Sequence, residues 1–152
     1  MAAIIHLSTH LGCDAAQAFR LFTDGTALQW WLAPVAEVDG VVGGKFELYW
    51  DPSDRSDNHT RGCRITALSP GELVAFDWRG PSQFREAMND VDPLTHVVVS
   101  FTPVEGGTHV HLVHAGWRST PQAEEARAWF ERAWTMAFEQ LKGVAQGPST
   151  TG

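Results

Sequence analysis

One long amphipathic helix is predicted near the C-terminal end, over residues 121–145, and it limits how the rest of the chain can fold. Thr120 is the predicted N-cap, and Pro121 occupies the first helical position. The apolar residues of this helix lie in one stripe along its surface, and this stripe has to be buried. We therefore expect the preceding strands to form an antiparallel sheet that curls around the helix. The apolar residues recur at i, i+4, i+7, i+11 and i+14 and are Phe130, Trp134, Ala137, Leu141 and Val144.

The chain before this helix contains short segments in which apolar and polar residues alternate, as is typical of strands. Residues 4–11 form the first predicted strand, and Asp14 then caps a helix over residues 15–22. A short second helix ends at Trp30 and Trp31. Segregated strands and helices of this kind predict an α+β fold. The other predicted strands are residues 35–39, residues 45–50, a hairpin of 61–68 with 72–78, and a hairpin of 95–103 with 108–115.

The last predicted hairpin carries His109, His111 and His114, and its register decides which face each imidazole occupies. A turn at residues 104–107 places the apolar residues of both strands on one face. A slip of one residue would bury His109 and His111 in their place, which makes that register unfavourable. The predicted pairs are Phe101 with Val110, Val99 with Leu112, and Val97 with His114.

In this register, His109 and His111 lie on the outer face, opposite Thr102 and Ser100. A zinc site would need a third or fourth ligand beside them, and the neighbouring side chains supply only hydroxyls. His96 lies several residues away along the sheet. We therefore predict solvated strand histidines, no metal site and no cofactor.

His114 faces inward at the end of its strand, just before Gly116 and Trp117. An inward imidazole is either a core residue hydrogen-bonded to the protein or a polar group in a cavity. Burial disfavours the charged ring, so we expect neutral His114 at pH 7 under both interpretations.

The charge and cysteine content limit the partners and the compartment. The formal net charge is −7 and no run of Lys or Arg is present, which excludes nucleic acid and anionic membranes as favoured partners. No apolar run approaches the length of a transmembrane helix. Cys13 and Cys63 do not make a disulfide framework, so free thiols in the cytoplasm are expected.

Five segments in order resemble the SRPBCC, or START-like, superfamily, and within it the family named for the activator of heat-shock protein 90 ATPase. They are LFTDGTALQWWLAP, VGGKFELYW, RGCRITALSPGELVAFDW, FTPVEGGTHVHLVHAGW and the region of Trp134 in the last helix. The similarity spans residues 15–141.

The resemblance implies a helix-grip fold, in which a curved antiparallel sheet of about six or seven strands grips the C-terminal helix around a cavity. The length predicts one domain, which we place at residues 1–145, and the tail QGPSTTG at 146–152 is expected to be disordered. Residues 79–94 form a longer connection than the resemblance implies, and whether they cover the cavity mouth stays open.

The implied function is the binding of an apolar or aromatic small molecule in this cavity. Aromatics are abundant, with seven Trp and eight Phe, and such side chains line ligand cavities as well as fill cores. The expected ligand-binding residues are His114, Trp31, Phe46, Trp50, Trp78, Val99, Phe101, Leu112 and Trp134.

Two alternatives remain open. A cyclase-, aromatase- or hydrolase-like enzyme would use the same cavity, with His114 as the base and Tyr49 or Cys63 nearby. A co-chaperone in a stress response would bind a chaperone partner, as the family name suggests, and a homodimer is also compatible with the resemblance. Fold alone does not decide among these functions.

Overall fold

A computed structural model describes residues 3–146 of the 152-residue chain. The first strand, β1 (Ile5–Leu11), leads into α1 (Ala15–Thr23) and α2 (Gly25–Trp31). Asp14 caps α1 as predicted, accepting a hydrogen bond from the Gln17 backbone N–H at 2.8 Å. Asp24 caps α2 in the same way, because its carboxylate accepts from the Thr26 N–H at 2.9 Å.

Five strands form one antiparallel sheet in the order β1-β7-β6-β5-β4, and β2 pairs with β3 in a separate two-stranded sheet. A single β-bridge between Lys45 and Arg64 connects the end of the small sheet to the start of β4. The predicted α+β class is therefore confirmed. The strand bounds are β2 Val35–Val38, β3 Phe46–Tyr49, β4 Ile65–Ser69, β5 Leu73–Trp78, β6 Thr95–Val104 and β7 Gly107–Ala115.

The β6–β7 hairpin has the predicted register. Val97 pairs with His114, and the outward His109 and His111 pair with Thr102 and Ser100. The inward side chains along both strands are fully or almost fully buried. The cost of burying the alternative, polar face explains why the alternation alone was sufficient to fix the pairing.

The C-terminal helix, α3 (Pro121–Gln146), runs one residue beyond the predicted end. Thr120 caps it, accepting from the Ala123 N–H at 3.1 Å. The predicted stripe is partly wrong, because Ala137 and Val144 are only partly buried and Phe138 belongs to the core. The rest of the predicted tail lies outside the described residues. The buried residues of α3 are Ala123, Ala126, Phe130, Trp134, Phe138, Leu141 and Ala145.

The connection between β5 and β6 contains two short helical turns, Ser82–Phe84 and Arg85–Asn89, that pack against α3. Their apolar side chains, Phe84 and Met88, are buried. The chain approaches Met88 so closely at Gly80 that a Cβ atom there would overlap the Met88 sulfur. This segment thus adds to the core beside α3.

No helix within residues 3–146 has both the length and the apolar character that crossing a membrane requires.

Candidate functional site

A cavity of about 300 Å³ lies between α3 and the sheet, and four tryptophans contribute to its lining. We call it the tryptophan pocket. Its volume is at the small end of the range of about 300–1,000 Å³ that is usual for ligand sites. Its lining residues are Leu32, Trp50, Asn58, Trp78, Trp129, Phe130, Ala133, Trp134, Met136 and Ala137.

Trp78, at the end of β5, is the centre of the aromatic lining. Its ring lies 5.0 Å from that of Trp134, 5.8 Å from Trp50 and 6.1 Å from Phe130, measured between ring centroids. The contacts with Trp50 and Phe130 are edge-to-face, an arrangement that aromatic pairs favour. The rings therefore hold one another in place and present a preformed apolar surface.

The tryptophan pocket carries almost no polar chemistry. Asn58 is the only residue of its lining with a polar, non-aromatic side chain, and no lining residue is charged. Met136, 71% exposed, forms part of the rim and links the pocket to the surface of α3. Such a site favours an uncharged occupant, because an anion would lose its hydration without gaining a partner and a cation would gain only the attraction of the ring faces.

The structure brings together only some of the predicted ligand-binding residues. Trp50, Trp78 and Trp134 line the tryptophan pocket. The others belong to the packed core at positions outside this lining, and their role in ligand binding stays a prediction. These core residues are Trp31, Phe46, Val99, Phe101, Leu112 and His114.

Helix α1 covers the inner surface of the sheet at Phe101, which explains why Phe101 is not in the pocket. Phe101 contacts Phe22 edge-to-face, with 5.4 Å between ring centroids, and Phe19 at 5.7 Å. Trp31 packs on Phe22 at 4.9 Å and donates its indole N–H to the Leu21 carbonyl at 2.8 Å. The space between the sheet and the helices is therefore filled beside Phe101 and Trp31, and the cavity lies beside β5 and the middle of α3.

Sequence reasoning identified Trp134 but missed the other α3 residues of the pocket lining. The signal was present in the width of the apolar face, since Trp129, Ala133 and Met136 extend it beyond one stripe at i, i+4 and i+7. A helix that buries only one row of apolar residues does not need this second apolar row. Trp129 next to Phe130 was the clearest indication, because two adjacent aromatic rings on a helix point about 100° apart.

His114 is fully buried and both of its ring nitrogens have protein partners. The Trp134 indole N–H donates to Nδ1 at 3.1 Å, and Nε2 lies 3.0 Å from the Thr95 hydroxyl. Since an indole can only donate, Nδ1 accepts and the neutral ring carries its proton on Nε2. His114 therefore donates to Thr95 and fixes the orientation of the Trp134 ring in the pocket lining.

Burial lowers the pKa of His114 to about 3. The ring is therefore neutral at pH 7. Nearby His96 lowers the pKa further as a second, smaller cause. Protonation of Nδ1 would also break the hydrogen bond from Trp134, because Nδ1 is the acceptor of that bond.

The residues named for the enzyme alternative are engaged elsewhere. The Tyr49 hydroxyl donates to the Glu47 carboxylate at 2.8 Å, and the Arg55 guanidinium lies over its ring at 4.5 Å. Burial raises the pKa of the Cys63 thiol to about 12, so this cysteine is an unreactive thiol at neutral pH. Neither residue lines the tryptophan pocket.

Histidines cluster on the outer face of β1 and β7. The His109 and His111 rings stack at 4.5 Å, and His6 Nε2 lies 3.2 Å from His111 Nδ1. The His6 and His111 rings are parallel, with centroids 5.4 Å apart, so these two nitrogens point at each other and share a hydrogen bond. Residues 3–146 contain no group of three or more metal-binding side chains placed to hold an ion.

Removing metal ions should therefore leave the protein unchanged. We expect the same Tm before and after EDTA treatment, because residues 3–146 contain no group of three or more metal-binding side chains whose loss of an ion would destabilise the fold. Differential scanning fluorimetry with and without chelator measures this. A clear decrease in Tm, reversed by added zinc, would contradict the assignment of His109 and His111 as solvated strand residues.

Solved structures share this fold at low sequence identity. Protein MLL2253 from Mesorhizobium loti is 19% identical, with a TM-score of 0.73, and the match covers 92% of this chain and 94% of that one. The Aha1 dimer from Colwellia psychrerythraea is 17% identical, with a TM-score of 0.74 and coverage of 96% and 98%. DynU16, from the dynemicin biosynthetic locus, is 13% identical, with a TM-score of 0.72; the match covers 97% of this chain and 49% of DynU16.

A search of curated proteins finds no match. The family model described as "Activator of Hsp90 ATPase homolog 1-like protein" matches residues 13–146, which is most of the chain. Its span includes both helices after β1, the whole sheet beyond β1 and the gripped helix. The helix-grip architecture and this match agree with the resemblance seen in the sequence, and the chain belongs to the family of activator of Hsp90 ATPase homolog 1-like proteins within the SRPBCC superfamily.

Proposed function

We propose that this protein binds a small, uncharged, apolar or aromatic molecule in the tryptophan pocket. The observation that carries the proposal is the lining of the pocket. Four tryptophans and Phe130 enclose a volume of about 300 Å³, and no lining side chain is charged. A concave apolar site with few polar groups is the usual form of a small-molecule site. Catalysis is not part of the proposal, because no lining residue is an acid or base at neutral pH.

The relatives support this proposal in a general way. DynU16 comes from the dynemicin biosynthetic locus. A homodimer is a further part of the proposal, supported by the dimeric Aha1 of Colwellia psychrerythraea. A cytoplasmic location is supported by the free thiols of Cys13 and Cys63. A chaperone partner in a stress response rests on the family name alone.

Filling the tryptophan pocket should abolish binding while the fold persists. Ala133 is a partly exposed residue of α3 in the lining, so in Ala133→Phe the added ring can occupy the cavity without entering the core. We expect at least a tenfold weaker affinity for two-ring aromatic compounds such as naphthalene, measured by NMR titration. Ala128→Phe is the matched control, on the same helix and outside the lining.

The proposal is wrong if Ala133→Phe and the parent chain bind such compounds equally well. It is also wrong if neither naphthalene nor other apolar compounds of this size raise the Tm of the parent chain, because a ligand that binds only the folded state stabilises it. Native mass spectrometry of the protein as purified would identify a bound molecule.

A further inference from the structure

The indole N–H of Trp78 is a buried hydrogen-bond donor without a partner in residues 3–146. Its side chain is 1% exposed and lines the tryptophan pocket. Leaving a buried donor unpaired is unfavourable, so native proteins rarely keep one without a reason.

The other buried tryptophans show that this chain normally satisfies such donors. Trp50, which is half-buried and contacts Trp78 in the pocket lining, also donates, to the Leu32 carbonyl at 2.9 Å. Trp78 is therefore an exception located where a ligand would bind. The three other buried indole N–H groups also donate: that of Trp31 to the Leu21 carbonyl at 2.8 Å, that of Trp117 to the His114 carbonyl at 3.1 Å, and that of Trp134 to His114 Nδ1 at 3.1 Å.

We infer that the tryptophan pocket selects neutral aromatic ligands that carry a hydrogen-bond acceptor, and that the Trp78 indole N–H donates to this acceptor. The inference rests on the proposed function and adds the ligand class and the residue that recognises it. A ring nitrogen, ether or carbonyl oxygen has the required chemistry. Carboxylates are disfavoured, because the lining offers no positive charge, and an ammonium group would have only the ring faces to replace its hydration.

The acceptor reaches Trp78 through a local adjustment. Less than 1 Å² of the indole nitrogen is accessible. Trp50, whose ring is 5.8 Å away, is only partly buried and is the neighbour with the most freedom to shift. Changes in side-chain conformation of this size are common at binding sites.

Naphthalene and quinoline test the inference, because they have nearly the same shape and only quinoline carries an acceptor. Both affinities are measured by NMR titration of the 15N-labelled full chain at pH 8, where quinoline is uncharged. In Trp78→Phe the ring remains but the donor is lost. We expect the preference for quinoline, expressed as the ratio of the two Kd values, to fall about threefold to tenfold relative to the parent chain. Trp30→Phe, at an exposed position outside the lining, is the control and should leave this ratio unchanged.

An unchanged ratio in Trp78→Phe, with both compounds binding, overturns this inference and leaves the proposed function intact. If neither compound binds the parent chain, the proposed function itself fails. If Trp78→Phe does not fold, the NMR spectrum of the parent chain tests the inference instead. One indole N–H signal, assigned through contacts with the neighbouring Phe76 ring at 6.0 Å, should move downfield with quinoline and not with naphthalene. Equal responses to the two compounds would overturn the inference.

Discussion

Trp134→Ala should lower the free energy of unfolding by about 3–5 kcal/mol, the range for emptying an aromatic core position. The Trp134 side chain is 2% exposed and packs on Trp78 in the centre of the grip. The substitution also removes the hydrogen bond to His114 Nδ1 and leaves that buried acceptor unpaired. Urea denaturation at pH 7 measures the loss.

Glu131→Ala, on the outer side of α3, provides the control. Its carboxylate pairs with Arg127 at 3.1 Å, but the Glu131 side chain is 50% exposed. Exposed pairs of this kind contribute about 0.3–0.5 kcal/mol on a helix. Equal losses for Trp134→Ala and Glu131→Ala would contradict the orientation of α3 in this fold.

His114→Phe should lower the free energy of unfolding by about 2–4 kcal/mol at pH 7. Phenylalanine fits the aromatic surroundings, but it leaves the Trp134 N–H without a partner in the core and the Thr95 hydroxyl with only its 3.5 Å bond to the Trp78 carbonyl. Each unpaired buried group costs about 1–3 kcal/mol. Urea denaturation again gives the value. A loss below about 0.5 kcal/mol would show that neither hydrogen bond contributes to stability.

The cost of His114→Phe should also shrink at acid pH. The pKa of His114 is about 3 in the folded protein, and its ordinary value is 6.5. Between these two pH values, the His114 ring is protonated in the unfolded chain but not in the folded protein. Proton uptake by the unfolded state favours unfolding, and the parent chain therefore loses stability as pH falls below 6.5. His114→Phe lacks this penalty.

From pH 7 to pH 5, linkage predicts that the stability difference between the parent chain and His114→Phe decreases by about 2 kcal/mol. Urea denaturation at the two pH values tests this directly, because contributions from the remaining histidines are common to both proteins. A difference that stays constant would mean that the folded protein protonates His114 in this range, against the effect of its burial.

Much of the fold follows from local patterns. Alternation along β6 and β7 determined their register, because a shift by one residue would expose Val99 and bury His111. The same alternation placed His114 inside. Asp14 and Thr120 determined the first residues of α1 and α3, since their side chains satisfy N–H groups that a helix leaves unpaired. These decisions depend on residues close in sequence or on directly paired strands.

The location of the pocket was decided by the tertiary structure. The sequence shows that Phe101 and Trp78 both point inward, but not that α1 covers Phe101 while space is left beside Trp78. Whether an inward residue meets a neighbour or a cavity depends on how separate elements pack. The same reason applies to His114, whose partners Thr95 and Trp134 come from different elements. Hydrogen bonding of a buried group depends on which acceptors the fold brings within about 3 Å, and this is why only the assembled structure distinguishes the unpaired indole of Trp78 from the paired ones.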